Sequence, residues 1–228
     1  MLVCDDLQTE VWRPDFSSSG QPDPPPWTRL RFRGREISNS LEWAEWSRNP
    51  VQTILCDACG TEQCAGGGYV HVSRLIDLVL WSSVQPNESE IGPEAGLQAI
   101  RRFGVLAIPV AYWNELPVPR AEQLAPANHA VIRDAWILGA GRTTESEYYG
   151  GDTLSKEDAI ALVDGAQTFL RKRADEPFEQ PVIAPPPGAR FEKLYFDGPA
   201  ERDWTAFAFA GEDVYLVLDR DHVIRLER

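Results

Sequence analysis

Apolar and polar residues alternate in two stretches of the chain, and this alternation predicts β-strands. Residues 69–75 read YVHVSRL, and residues 204–226 alternate along most of their length, with two short polar breaks. Since successive side chains of a strand point to opposite faces, a period of two indicates a strand with one buried face. The polar breaks suit tight turns, so residues 189–228 are predicted to form an antiparallel β-meander. The nearly continuous apolar run at 76–84 predicts a further strand, buried on both faces.

A period close to 3.6 replaces this alternation in the middle of the chain and predicts helices. The strongest of them begins at Ser155, where Ser-Lys-Glu-Asp forms a variant of the capping box, and it ends in three consecutive basic residues. Weaker patterns predict short helices at 41–46, at 92–104 and within 119–141. Pro109 interrupts an apolar run and, because proline has no backbone N–H, predicts a loop or an edge segment there.

Strands and helices together predict an α+β fold, with a mixed sheet, several helices packed on it and a C-terminal antiparallel β-meander. Two proline-rich stretches, SSSGQPDPPP and the segment 176–188, are predicted to be extended connectors because proline excludes helices and interior strands. The predicted organisation is an extended acidic segment at 1–27, a core carrying the cysteines at 28–175, and the meander at 189–228 packed on the same core.

Charge narrows the choice of partner. The chain has 35 acidic and 22 basic residues, a formal net charge of −13. Nucleic acids and anionic membranes bind Lys and Arg, so this surface predicts neither as a partner. It favours a basic protein, which its field would attract. Solubility alone is the simpler explanation of the same charge.

The N-terminal sequence lacks the basic and apolar regions of a signal peptide, and no apolar run approaches the roughly 20 residues that span a bilayer. The predicted location is therefore the cytoplasm. Thiols stay reduced there, and this matters for the cysteines described next.

One short stretch concentrates the candidate chemistry, with the spacing Cys56-x2-Cys59-x4-Cys64-x6-His71. Thiolates and imidazole are the usual zinc ligands, and a Cys-x2-Cys turn directs two thiolates to one side. Gly60 follows the turn, at a position that often requires a positive φ. The spacing predicts a structural zinc site formed by these three cysteines and His71.

Other interpretations of the cysteines remain open at this point. Cys4 or Glu62 can replace His71 as the fourth ligand. A Cys-x-x-Cys pair with a third thiol can also exchange disulfides, although the βαβ context of such redox sites is missing. Finally, free cysteines often pack simply as small apolar side chains beside a turn.

The sequence carries no familiar catalytic signature, so no catalytic residue and no cofactor other than zinc is predicted. His129 and His222 are expected to form local hydrogen bonds. The leading hypothesis is a non-enzymatic acidic protein-binding module, for example one that neutralises a basic toxin as immunity proteins do. The alternative is a metal-dependent hydrolase that uses the Cys/His cluster with Glu62 or Asp57 as general base. A third is a structural role in a larger assembly.

Overall fold

The computed structural model describes the chain except for residues 1, 5, 21, 23, 63, 65–66, 85–95, 98, 101–104, 134–155, 196–203, 220 and 227–228. The chain divides into two compact units, Val3–Ala125 and, together with the first two residues, Pro126–Arg228. The predicted organisation into 1–27, 28–175 and 189–228 stays a prediction.

The described residues of the first unit form two sheets and several short helical segments. Its strands are β1 (Leu2–Val3, of which Val3 belongs to this unit), β2 (Leu7–Trp12), β3 (Trp27–Phe32), β4 (Arg35–Ser38), β5 (Val51–Gln52), β6 (Tyr69–Leu75), β7 (Leu78–Ser82) and β8 (Leu106–Pro109). The helix α1 (Val110–Trp113) follows β8 directly. One sheet has the order β2-β3-β4 and the other has the order β1-β8-β7-β6-β5.

The hairpin of β6 and β7 is the centre of the larger sheet. Its two strands pair antiparallel from His71 opposite Ser82 to Leu75 opposite Leu78, and all five residues of β7 are buried. This confirms the strand predicted at 69–75 and the buried strand predicted within 76–84. Both strands could be predicted because the apolar pattern of each agrees with its burial: β7 is buried throughout, and buried and partly exposed residues alternate along much of β6.

Three tryptophans form part of the core of this unit. The ring of Trp46 lies 5.4 Å from that of Trp113 and 6.4 Å from that of Trp81, and Trp81 and Trp113 are 6.3 Å apart. Trp46 donates its indole N–H to the carbonyl of Leu41, and Trp113 donates to that of Pro119, both at 2.8 Å. The cluster therefore buries the rings of Trp81 and Trp113 fully and that of Trp46 partly, while two of the indole N–H groups form hydrogen bonds.

The second unit combines one long helix with one sheet. Its described elements include a helical segment at residues 129–133, α2 (Lys156–Lys172), β9 (Val182–Ile183), β10 (Arg190–Tyr195), β11 (Trp204–Ala210), β12 (Asp213–Asp219) and β13 (His222–Arg225). Strands β10 to β13 pair antiparallel in sequence order, as the alternation predicts, and β9 adds a fifth strand beside β13. The helix predicted after Ser155 is present, whereas its N-terminal cap lies outside the described residues.

The predicted α+β class, a mixed sheet covered by several helices, is wrong. The protein is mostly β: its described residues form three sheets, whose strands pair antiparallel wherever the register is defined. Within the described residues, α2 is the only helix longer than six residues, and none is long and apolar enough to cross a membrane. The helix predicted at 92–104 lies largely outside the described part of the chain. Of the two short helices predicted within 119–141, residues 121–123 form a 3-10 turn and residues 129–133 are helical, and the residues from 134 on lie outside the described part.

The helix predicted at 41–46 is replaced by turns. The N–H of Ala44 donates to the carbonyl of Ser40, but the N–H of Trp46 bonds only two residues back, to Ala44. The indole N–H of Trp46 donates to the carbonyl of Leu41, which would accept a backbone N–H in a continuing helix. Since a single turn costs more conformational entropy than its few hydrogen bonds return, packing of the tryptophan decides the conformation.

Pro109 also departs from its prediction as a loop or edge residue. It is the last residue of β8, opposite Leu78, and β8 lies between β1 and β7 inside the sheet. The chain turns into α1 immediately afterwards. Proline's lack of an N–H therefore affects only the end of the strand, where few hydrogen bonds between strands are lost.

Candidate metal centre

The three clustered cysteines lie on the connection from β5 to β6, here called the cysteine loop (residues 54–67). Thr53 joins the two ends of this loop, because its N–H and its hydroxyl both donate to the carbonyl of Gly68, at 2.9 and 3.1 Å. The hydroxyl is also 3.0 Å from the carbonyl of Ile37 at β4. The base of the loop is thus attached to the end of the three-stranded sheet.

Asn39 holds the start of the loop. Its side chain accepts from the N–H of Leu55 at 2.9 Å and donates to the carbonyl of Leu55 and to Asp57 Oδ1, both at 2.8 Å. Its backbone N–H donates to Thr53, and its carbonyl accepts from the indole of Trp12. Asn39 is only 1% exposed. One buried amide therefore completes the hydrogen bonding of a segment that has no strand partner there.

The Cys-x2-Cys turn rests on two aromatic rings. The N–H of Gly60 donates to the carbonyl of Cys56 at 2.7 Å, and Gly60 has a φ of +68°. A Cβ at this position would lie 2.9 Å from the ring of Phe16 and 3.4 Å from that of Trp27. Glycine is required at this turn for its φ and for this close approach, as the sequence indicates for the φ alone.

The sulfurs of Cys56, Cys59 and Cys64 lie within 4.8 Å of one another. Cys56 and Cys59 are half-buried and Cys64 is exposed. Around a tetrahedral zinc ion with Zn–S bonds of about 2.3 Å, sulfurs are separated by about 3.8 Å. The three side chains therefore need to move little to hold a metal ion.

The three thiols do not lose their protons independently. Hydrogen bonds from Thr61, and then from Cys56, lower the pKa of Cys59 to about 7. Hydrogen bonds with Cys56 and Cys59, together with their negative charges, raise the pKa of Cys64 to about 11. The first thiolate forms easily and the last is opposed by its neighbours. A divalent cation among the sulfurs removes this repulsion, which is why such clusters favour metals.

The structure brings together three of the four predicted ligands, and His71 is not among them. Its Nδ1 lies 3.1 Å from the side-chain oxygen of Asn49. Of the proposed substitutes, Glu62 is bound by Arg48 at 3.1 Å, and Cys4 is buried beside β8. The identity of the ligands beyond the three cysteines stays a prediction.

The other described sites offer less chemistry. His129 is buried, with its Nδ1 3.1 Å from the carbonyl of Glu176 and its ring against Phe169 and Phe178. The ring is hydrogen-bonded, but to a residue 47 positions away rather than to the expected local partner. A groove of about 850 Å³ in the second unit is lined by Glu179, Gln180, Pro181, Ile183, Asp213, Val214, Arg225 and Leu226. Its one basic group, Arg225, is paired with Asp213 at 2.6 Å.

Sequence reasoning missed the residues that position the loop. Asn39 bonds to a residue 16 positions away, and no local pattern marks such a partner. Gly68, the last of three consecutive glycines, has a φ of +87° and accepts a hydrogen bond from Thr53, and the sequence indicates neither feature.

The comparisons with known proteins give no relative from which a role can be transferred. No family model, curated protein or solved structure matches the chain. The function must therefore be argued from the geometry of the cysteine loop and from the charge of the surface.

Proposed function

We propose that the protein is a non-enzymatic, acidic binding module whose cysteine loop is held in shape by a structural zinc ion. The observation that carries the proposal is that the three sulfurs lie within 4.8 Å of one another on the cysteine loop. Zinc suits this site because it accepts several thiolates, prefers tetrahedral geometry and has no redox chemistry of its own.

The zinc ion would hold the cysteine loop in shape together with the hydrogen bonds that attach it. Asn39 and Thr53 attach the start and the base of the loop. Cys64 lies exposed on the returning half, where its N–H donates to the carbonyl of Glu62, two residues away. A metal bound by Cys64 and the Cys-x2-Cys turn would join the two halves of the loop. The loop would then present a fixed surface at low conformational cost.

The hydrolase alternative is supported by one observation, the count of three protein ligands, since catalytic zinc leaves its fourth position to water. Two facts weigh against it. Three thiolates give the bound ion a net charge of −1, which weakens its polarisation of water. The candidate bases are also engaged, Asp57 by Asn39 and Glu62 by Arg48. The structural role is therefore the better proposal.

The proposed partner is a basic protein. The chain has a net charge of −13, and two carboxylates, Asp57 and Glu62, belong to the cysteine loop itself. A zinc ion with three thiolates adds a further negative charge there. Opposite charges accelerate encounter and set orientation more than they add affinity. Neutralising a basic toxin, as immunity proteins do, is one concrete form of this function.

Metal content tests the first half of the proposal. Protein purified without added metal is expected to contain one zinc per chain, with three thiols protected from alkylation until the zinc is chelated. Cys59→Ser is expected to weaken zinc binding at least about 100-fold, because even substitutions behind the ligands cost 10- to 100-fold. Cys4→Ala is the matched control and should keep the metal. Zinc-free protein that fails to bind added zinc contradicts the proposal.

Salt dependence tests the second half. At an ionic strength of about 10 mM the protein is expected to bind members of a panel of small basic proteins in a titration, and to lose at least about tenfold in affinity near 200 mM as the Debye length shortens. Acidic proteins of the same size serve as the control and should not bind. A lack of binding to every basic protein at low salt would refute the partner class and leave the zinc site untouched.

A further inference from the structure

The zinc site of the proposed function has three sulfur ligands within the described residues, whereas structural zinc takes four. The neighbouring groups that can coordinate a metal are tied to other partners. The position of these partners, the exposure of Cys64 and the local charge indicate where the fourth ligand comes from.

The nearest imidazole in the sequence, that of His71, is held on β6. Asn49 accepts from the N–H of Val72 at 3.0 Å and donates to its carbonyl at 3.1 Å, so the amide of Asn49 is fixed against the strand. The same amide oxygen lies 3.1 Å from His71 Nδ1. The ring is therefore oriented by the sheet and lies outside the group of sulfurs.

The nearby carboxylates are held in the same way. Glu62 pairs with Arg48 at 3.1 Å, and Arg48 also pairs with Glu45 at 3.0 Å. Asp57 accepts from the buried amide of Asn39 at 2.8 Å. Turning Glu62 toward the metal would break one of the two ion pairs of Arg48. Turning Asp57 would remove one of the two acceptors of the buried amide of Asn39, which is the more costly change.

Solvent reaches the cysteine cluster most readily at Cys64, because Cys56 and Cys59 are half-buried. The Cys-x2-Cys turn is covered from below by Phe16, which a Cβ on Gly60 would approach to 2.9 Å. Cys64, by contrast, is exposed. A ligand from another molecule can therefore reach the metal on the side of Cys64 without moving the core.

Charge selects the kind of ligand. Zinc with three thiolates carries −1, and an added thiolate or carboxylate would make it −2 on a chain that already carries −13. A neutral imidazole leaves the charge at −1 and is among the best nitrogen ligands for zinc. We propose that a histidine of the basic partner protein supplies the fourth zinc ligand, so that the metal becomes part of the binding surface. This inference rests on the proposed function.

Cobalt replaces zinc in the first experiment because its d–d absorption bands report the ligands. Addition of imidazole to the cobalt-loaded protein is expected to shift these bands in a saturable manner. His71→Ala is expected to leave both the starting spectrum and the imidazole response unchanged. A spectrum insensitive to imidazole, or one altered by His71→Ala, shows an internal fourth ligand and overturns the inference. Failure to bind cobalt and zinc at all instead refutes the zinc site itself.

A second experiment uses two cationic peptides that differ only in one residue, histidine or alanine. The zinc-loaded protein is expected to bind the histidine peptide about tenfold more tightly, a difference of about 1.4 kcal/mol. Removal of zinc by a chelator is expected to bring the ratio to one. Equal affinities with zinc bound overturn the inference, whereas weak but equal binding of both peptides in each state still supports an acidic docking surface.

Discussion

Replacing Asn39 with alanine is expected to lower the free energy of unfolding of the first unit by about 3–4 kcal/mol. The substitution removes three hydrogen bonds of 2.8–2.9 Å, to the N–H and carbonyl of Leu55 and to Asp57. Asn39 is 1% exposed, so water does not readily replace the lost amide. Each buried group left without a partner costs about 1–3 kcal/mol. Denaturant unfolding followed by tryptophan fluorescence measures the effect.

Asn49 offers a matched control for this prediction. Its amide forms the same pair of bonds with the N–H and carbonyl of one residue, Val72, but Asn49 itself is exposed. Water can take its place, so Asn49→Ala is expected to cost about 1 kcal/mol or less. Losses of equal size in the two variants would mean that burial of Asn39 is not what makes its amide important.

Gly68→Ala is expected to destabilise the first unit by about 3–4 kcal/mol, through strain and overpacking together. Gly68 has a φ of +87°, and a Cβ there would lie 2.5 Å from the Cβ of Ile54 and 3.0 Å from its backbone nitrogen. The clash is with backbone and with the first side-chain carbon, neither of which can rotate away. Any shift also disturbs the carbonyl that accepts both hydrogen bonds of Thr53.

Gly34 separates the two causes. It has a similar φ of +70°, but nothing lies within 4 Å of the Cβ that alanine would add. Gly34→Ala is therefore expected to cost only about 1 kcal/mol, the contribution of the backbone conformation. Thermal and denaturant unfolding of the two variants give the comparison. If both variants lose the same free energy of unfolding, the close contact with Ile54 does not contribute to the destabilisation.

The elements that could be predicted from the sequence are those whose signal is local. The alternation at 69–75 describes β6, the period of 3.6 describes α2, and the meander follows from alternation and two turns. The fold class could not be predicted in this way. Whether Trp46 continues a helix or folds back onto Trp113 depends on a partner far along the chain, and tertiary packing overrides a weak helical pattern.

The residues of the candidate site likewise differ in whether local sequence could predict their position. The spacing of Cys56, Cys59 and Cys64 is short enough for one loop to bring the sulfurs together, and the structure does so. His71 belongs to the next strand, where pairing with β7 and the amide of Asn49 determine its position. Asn39 carries no local signal, because its importance arises only when β4 ends beside the cysteine loop. Contacts between residues far apart along the chain are the features that are hardest to predict from a single sequence.

The cluster of Trp46, Trp81 and Trp113 has a spectroscopic consequence. Rings separated by 5.4–6.4 Å are near enough for their electronic transitions to couple, and coupled indoles contribute a paired positive and negative signal to circular dichroism. All three rings belong to the unit Val3–Ala125. That unit therefore contains its own optical probe, whose signal disappears when the three rings separate and needs no introduced label.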